Sequence, residues 1–348
     1  MDIKSYFSEK LGKLLFLNIE SQNIYLPVNS THIVDDIKNG RSLDSIPFTH
    51  FIYGMFFVLG ADESFKYRDR YIKYLKETEG SVKYIKGKIA EEIKKDNLEE
   101  GYILLKGLAV IEKNEEVFDN LIRVLETLRM KEPAFMDEEL MMLEVAKELS
   151  GYSTPYFYEA VIKNEKKDYT GALYSLNKYI ELKETCSQEI EEFRNALERD
   201  SNYKRGRELV YDDPEKALTL LIPLKEQLPD DATLYFYIGV CYRILGNYEK
   251  SIYYLNEALA IDSSLVQVVN ELGINYASLG DYDTAAAYMR KAFEATKSIE
   301  ICTNLVMCYL NSGRMQEALD HLAIAEKLDP KDEIVLELKD LIKKENIN

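Results

Sequence analysis

The feature that most constrains this chain is a spacing. Gly239 and Gly273 stand 34 residues apart, as do Tyr242 and Tyr276, and Gly246 and Gly280; Tyr276 to Tyr309 and Gly280 to Gly313 are 33 apart. Three phrases carry it: YFYIGVCYRILGNYEKSIYYLNEALAID from Tyr235, VNELGINYASLGDYDTAAAYMRKAFEA from Val269, and CTNLVMCYLNSGRMQEALDHLAIAEKLDP from Cys302. In the first two, large residues fall at i, i+3 and i+7 with glycine at i+4: Tyr235, Ile238, Gly239, Tyr242, then Val269, Leu272, Gly273, Tyr276. Residues so spaced share one face of an α-helix. A glycine in mid-helix costs about 1 kcal/mol relative to alanine, so its return at one phase points to a second helix packed close against the first. The bends L-G-N-Y, L-G-D-Y and S-G-R-M put glycine where a helix ends in the left-handed conformation. A helix pair of this kind cannot bury its own apolar face, so neighbours must stack.

These residues resemble the tetratricopeptide repeat, a 34-residue pair of antiparallel helices. The second helices fit as well: Ser251, Leu255, Ala258, then Ala285, Met289, Ala292, then Ala318, Leu322, Ala325, with Pro330 at the family's closing proline. Tyr235, Val269 and Cys302 stand where the family usually has Trp, Val306 replaces the small Gly, and Ser263 and Lys297 replace the closing Pro. The resemblance implies an all-α fold, a right-handed superhelical solenoid of antiparallel helix pairs.

Weaker copies lie upstream. Lys167 to Leu173 has a turn and the start of a second helix; Asp213-Pro214-Glu215-Lys216-Ala217-Leu218 is another helix start, since proline suits the first turn. Ala172 and Ala217 are 45 residues apart, so a longer helix is predicted between them, over Gln188 to Glu208. Asp96 to Gly101 opens the second helix of a degenerate unit, and residues 115–149 read as a helix pair broken near Pro133. The organisation predicted is a non-repeat head at 1–85, degenerate helical repeats at 86–152, a repeat array at 153–330 and a capping helix at 331–348. Within that last segment Ile334, Leu338, Leu341 and Ile342 form the apolar side.

The head has no recognisable repeat. Lys4 to Ile19 shows helical spacing through Phe7, Leu11, Leu14 and Leu15. A polar, irregular stretch follows, with Asn23, Pro27, Asn29 and Asn39-Gly40. Phe48 to Leu59 comes next, then a charged, aromatic helix near Ser64 to Glu77. The cluster of Phe48, Phe51, Ile52, Met55, Phe56 and Phe57 is too apolar to stand in water and is expected to form the core of a small helical head, or else a patch for a partner or a second copy.

Charge and chemistry narrow the function. Formal net charge is −17, and residues 1–85 contribute almost none of it. Such a surface repels phosphate backbones and anionic lipid, so nucleic acid and membranes are poor partners. The start lacks the pattern of a signal peptide, and Phe51 to Ala61 is too short to span a bilayer; a cytoplasmic protein is expected. Cys241, Cys302 and Cys308 fall within helices at positions that read as buried, as small apolar residues. His32, His50 and His321 are far apart in sequence without ligand spacing, so no metal or other cofactor is expected. Phosphate-binding glycine loops, nucleophile elbows and zinc-protease motifs are missing from the sequence, and no catalytic residue is assigned.

The leading expectation is therefore a scaffold that binds a protein or peptide rather than an enzyme. A regulatory sensor, whose head transmits peptide binding, is a second reading, and an enzyme with its site in the head a third. The resemblance implies that first helices line a concave groove. The groove residues would be Phe236, Tyr237, Val240 and Arg243 with Thr233, then Asn270, Glu271 and Ile274 with Ala277, then Thr303, Asn304 and Met307 with Leu310. Asn270 and Asn304 offer both donor and acceptor to a peptide backbone; Phe236, Tyr237 and Met307 offer apolar contact. Some members of the family clamp a carboxylate with paired Lys and Asn, but only Arg243 is cationic here, which disfavours an acidic chain terminus.

Overall fold

A computed structural model describes residues 3–20, 23–40 and 46–345, leaving the ends of the predicted head (1–2) and cap (346–348) outside the described residues. The chain divides into two compact units, 1–197 and 198–348.

The first unit opens with α1 (Ile3–Lys10), which is shorter than the predicted helix over Lys4 to Ile19. After a 3-10 turn come β1 (Leu14–Ile19) and β2 (Ile24–Asn29), paired antiparallel with Leu14 opposite Asn29 and Ile19 opposite Ile24. The run Leu14-Leu15-Phe16-Leu17 is apolar at either period, and periodicity alone cannot separate helix from strand in so short a run. The hydrogen-bonding partner across the hairpin decides it. The stretch expected to be irregular thus becomes a strand and then α2 (Ser30–Lys38), capped by Asn29, whose side chain accepts from the Thr31 amide at 3.0 Å. Pro27 is tolerated because, in a two-stranded sheet, each strand is an edge.

β2 lies on α3 (Phe48–Ala61), where Ile52, Met55, Phe56 and Phe57 are buried, as the core reading of that cluster anticipates; Phe48 is exposed. Then follow α4 (Arg68–Glu77), α5 (Ser81–Lys94), α6 (Leu98–Ile111), α7 (Glu115–Lys131) and, after a 3-10 turn at Pro133–Phe135, α8 (Met136–Ala146). α3 and α6 cross with backbones touching. A Cβ on Gly60 would sit 1.8 Å from the Ile103 carbonyl oxygen, and one on Gly107 2.0 Å from that of Phe56. One hydrophobic cluster joins residues from Ile3 to Ile162, with Tyr53, Tyr71, Tyr102 and Phe118 fully buried. Beneath it, buried Arg129 donates to Glu139 (2.8 Å) and Glu126 (2.7 Å) and pairs with Glu165. α9 (Thr154–Glu165) and α10 (Tyr169–Lys183) form a helix pair around Ala160, Ala172 and Leu176. The boundary between the units falls inside α11 (Gln188–Leu209), the long helix predicted from the 45-residue interval.

The second unit continues with α12 (Pro214–Leu221), whose amide at Lys216 is capped by Asp213. Three helix pairs follow: α13 (Ala232–Ile244) with α14 (Tyr248–Ile261), α15 (Val266–Ser278) with α16 (Tyr282–Thr296), and α17 (Ile299–Asn311) with α18 (Met315–Leu328). The sequence phase is visible in the packing. A Cβ on Gly239 would lie 2.8 Å from Leu255 Cγ, and on Gly273 2.7 Å from Met289 Cγ. Gly246, Gly280 and Gly313 turn the chain at φ of +74°, +83° and +73°. Tyr242 stacks on Tyr254 with centroids 5.5 Å apart, Tyr276 on Tyr288 at 5.5 Å, and Tyr309 meets His321 at 5.2 Å in the third pair. α19 (Glu333–Glu345) packs on α17 and α18. Its buried side is Val335, Leu338 and Ile342, whereas Ile334 and Leu341, placed on the apolar side by sequence, are exposed.

Candidate functional site

The first helices of the repeats, α13, α15 and α17, carry every residue of the predicted groove, and the structure sorts those residues into two sets.

Around α13 the face is largely engaged by the protein itself, although Thr233 is exposed. Val240 is 0% exposed, enclosed in a cluster with Val210, Leu221 and Leu234, so it belongs to the core and has no surface for a partner. Phe236 is half-buried, edge-on to Tyr237 at 5.3 Å, and the Arg207 guanidinium lies 5.1 Å from the Tyr237 ring. Arg243 Nε donates to Glu271 Oε2 at 2.5 Å, bridging α13 and α15. Burial pushes the Glu271 carboxyl above the ordinary carboxylate range, while Arg243 pulls it down. Arg243 thus spends its charge inside the unit. Asn270 is half-buried and its Oδ1 is enclosed without a hydrogen-bond partner among the described residues. Thr303 is 4% exposed and donates to the Glu300 carbonyl at 2.9 Å.

Between α15 and α17 the face is open. Ile274, Asn304 and Met307 line a cleft of about 460 Å³ with Ala277, Ser278, Tyr282, Met289, Cys308 and Asn311. Met307 is 40% exposed, an apolar side chain held at the surface. Asn311 donates to the Met307 carbonyl at 2.8 Å. Asn304, Met307 and Asn311 stand at i, i+3 and i+7, one stripe of α17. Leu310 is the last residue of the predicted groove; the spacing from Met307, carried one turn further, reaches Asn311. An apolar floor with amides along one rim can take a side chain below and bond a main chain above.

In the first unit, His32 and His50, 18 positions apart in sequence, have ring centroids 5.2 Å apart, and His50 Nε2 lies 3.5 Å from Asp36 Oδ2. Sequence separation hid this neighbourhood, which folding of α2 against α3 creates. Burial holds the His32 imidazole below its ordinary range. Among the described residues, no group of three or more His, Cys, Asp or Glu is placed to hold a metal ion, and no helix is long and apolar enough to cross a membrane.

One profile of the tetratricopeptide repeat family matches residues 232–265 and another matches 276–342. Residues 232–265 and 276–342 thus carry tetratricopeptide repeats. The first match covers α13 and α14, the second covers α16, α17 and α18 and runs on into α19, and most of α15 lies between the two. No curated protein matches the chain in sequence. Similar solved structures include MamA, with 19% identity and a TM-score of 0.39 over 51% of this chain and 92% of that one. YrrB, a TPR protein with an unusual peptide-binding site, gives 17% and 0.41 over 57% and 96%. TTC0263, a thermophilic TPR protein of Thermus thermophilus, gives 20% and 0.35 over 57% and 100%.

Proposed function

We propose that this chain is a protein- or peptide-binding scaffold whose tetratricopeptide array grips an extended segment between α15 and α17. The observation that carries the reading is the cleft of Ile274, Asn304, Met307 and Asn311, where apolar and amide groups converge on an accessible surface. Stacked helix repeats present such surfaces as a consequence of their geometry. The cleft holds no cation, and Arg243 is already engaged by Glu271. The segment bound is therefore read as uncharged or basic at the contact, with an aliphatic or aromatic anchor.

The test is capture of partners from source lysate by the intact chain, beside Asn304→Ala/Met307→Ala and a control at exposed Met130 in the first unit. Both variants should melt as the parent does. A partner retained by parent and control but lost by the double variant supports the reading. Equal capture by all three removes the cleft from consideration.

A further inference from the structure

We propose that the first unit contains a second binding site, for a small carboxylate with an apolar tail, in a pocket between α3, α6, α7 and α8. The pocket has a volume of about 340 Å³, within the range of small-molecule sites. Leu59, Phe118, Met141 and Met142 form its wall. Leu59, Phe118 and Met142 are buried and Met141 is half-buried, so the lining is continuous with the core. Methionine is unbranched and adapts to irregular apolar shapes, which suits a flexible aliphatic tail.

The polar end of the pocket selects the sign of the head group. Arg68, Lys106 and Lys113 stand there with Glu63 and Glu148; Lys113 is paired with Glu148 at 3.2 Å, which leaves Arg68 and Lys106 as the cations that can receive a head group. Arg68 is fixed in place by donating from Nη1 to the Leu59 carbonyl at 3.0 Å. Lys106 is the central group. Its side chain is only 11% exposed, and its ammonium lies 2.7 Å from Glu138 Oε1 and 3.2 Å from Glu63 Oε1. The two partners differ. Glu138 is buried and also accepts from the Tyr102 hydroxyl at 2.5 Å, so it is a fixed counter-ion. Glu63 lies on the loop after α3, is 60% exposed, and can swing into water. A ligand carboxylate takes the place of Glu63 on Lys106, exchanging one ion pair for another without stranding a charge. Charge-assisted hydrogen bonds to an ammonium and a nearby guanidinium then orient the head, and the tail covers the methionines. A cationic head would instead find Glu63 and Glu148 already paired with Lys106 and Lys113, and would lie beside the Arg68 guanidinium. This site lies within the first unit and does not depend on the peptide-binding reading.

The experiment uses the full chain labelled with 13C at the methionine methyls. Sodium octanoate, octylammonium chloride and octan-1-ol are titrated in turn below their aggregation limits. Octanoate is expected to shift the resonances of Met141 and Met142, assigned by single Met→Leu replacements, and to bind at least tenfold more tightly than octylammonium. Glu63→Gln, a change at an exposed position, is expected to tighten octanoate binding several-fold by removing the competing carboxylate. Lys106→Gln is expected to weaken it at least tenfold; because that change also deprives Glu138 of its cation, it is read beside Glu63→Gln. The proposal is overturned if octanoate and octylammonium bind alike, if the shifts fall on other methionines, if no shift occurs, or if Glu63→Gln weakens binding.

Discussion

Both units are built from packed helices, but they close their cores differently. In residues 198–348 each helix of a pair packs on the next in sequence, and each pair on its neighbour, so the spacing of 33 or 34 residues returns as matching contacts. In residues 1–197 one cluster ties Ile3 and Phe7 to Tyr102 and Leu143, and α3 packs on α6 across two intervening helices. The small residues show the same contrast. Gly239 and Gly273 make room for a leucine and a methionine side chain, which can shift; Gly60 and Gly107 make room for backbone carbonyls, which cannot. Repetition spreads the demand for exact fit over several tolerant joints, whereas a core closed by distant segments concentrates it at a few intolerant ones.

Removal of buried charge partners should test this contrast most severely. Arg129→Met would remove the cation that Glu126, Glu139 and Glu165 share, and should cost about 3–5 kcal/mol by denaturant unfolding of the first unit at alkaline pH, where Glu139 is ionised. Arg243→Met in the repeats should cost less, about 1–2 kcal/mol, because Arg243 and Glu271 are partly exposed. Equal losses would show that the two units depend alike on their buried ion pairs. Next in size, Gly60→Ala should destabilise by about 1–3 kcal/mol or more, since a methyl would overlap the Ile103 carbonyl. Gly239→Ala should change stability by less than about 1 kcal/mol, as the helical gain of alanine offsets displacement of Leu255.

Smaller effects sharpen the picture. Asp281 caps α16 by accepting from the Thr284 amide at 3.1 Å; Asp281→Ala should cost about 1 kcal/mol, read from thermal unfolding, while leaving the first unit unchanged. Glu139 supplies a pH signature. Burial and the neighbouring Glu126 carboxylate raise its pKa above the ordinary range, against the pull of Arg129. The folded state then binds more protons than the unfolded state over the interval between the two pKa values. This group's contribution to stability must fall as pH rises from the ordinary carboxylate range through neutrality. Glu139→Gln should flatten that part of the profile for the first unit; an unchanged slope would show that Glu139 is ionised throughout.

Much of the second unit was legible in the sequence because its determinants are local. The long helix over 188–209, the start at Pro214 and the turns at Gly246, Gly280 and Gly313 follow from caps, glycines and helical spacing within a few residues. The candidate cleft was legible in part. Ile274, Asn304 and Met307 line it together, while Val240 and Thr303, at equally plausible phases, are buried. Phase identifies the side of a helix but not whether a neighbour covers it.

The sequence alone therefore determined the repeat, its helix pairs, the glycine turns and the acidic character of the chain, since each depends on residues near one another along the helix. Tertiary structure alone decided that Leu14 to Ile19 is a strand, that His32 meets His50, that α3 and α6 touch at Gly60 and Gly107, and that Lys106 is shared between a fixed and a movable carboxylate. Each of these needs a partner from a distant part of the chain, and only the closed core brings that partner within reach.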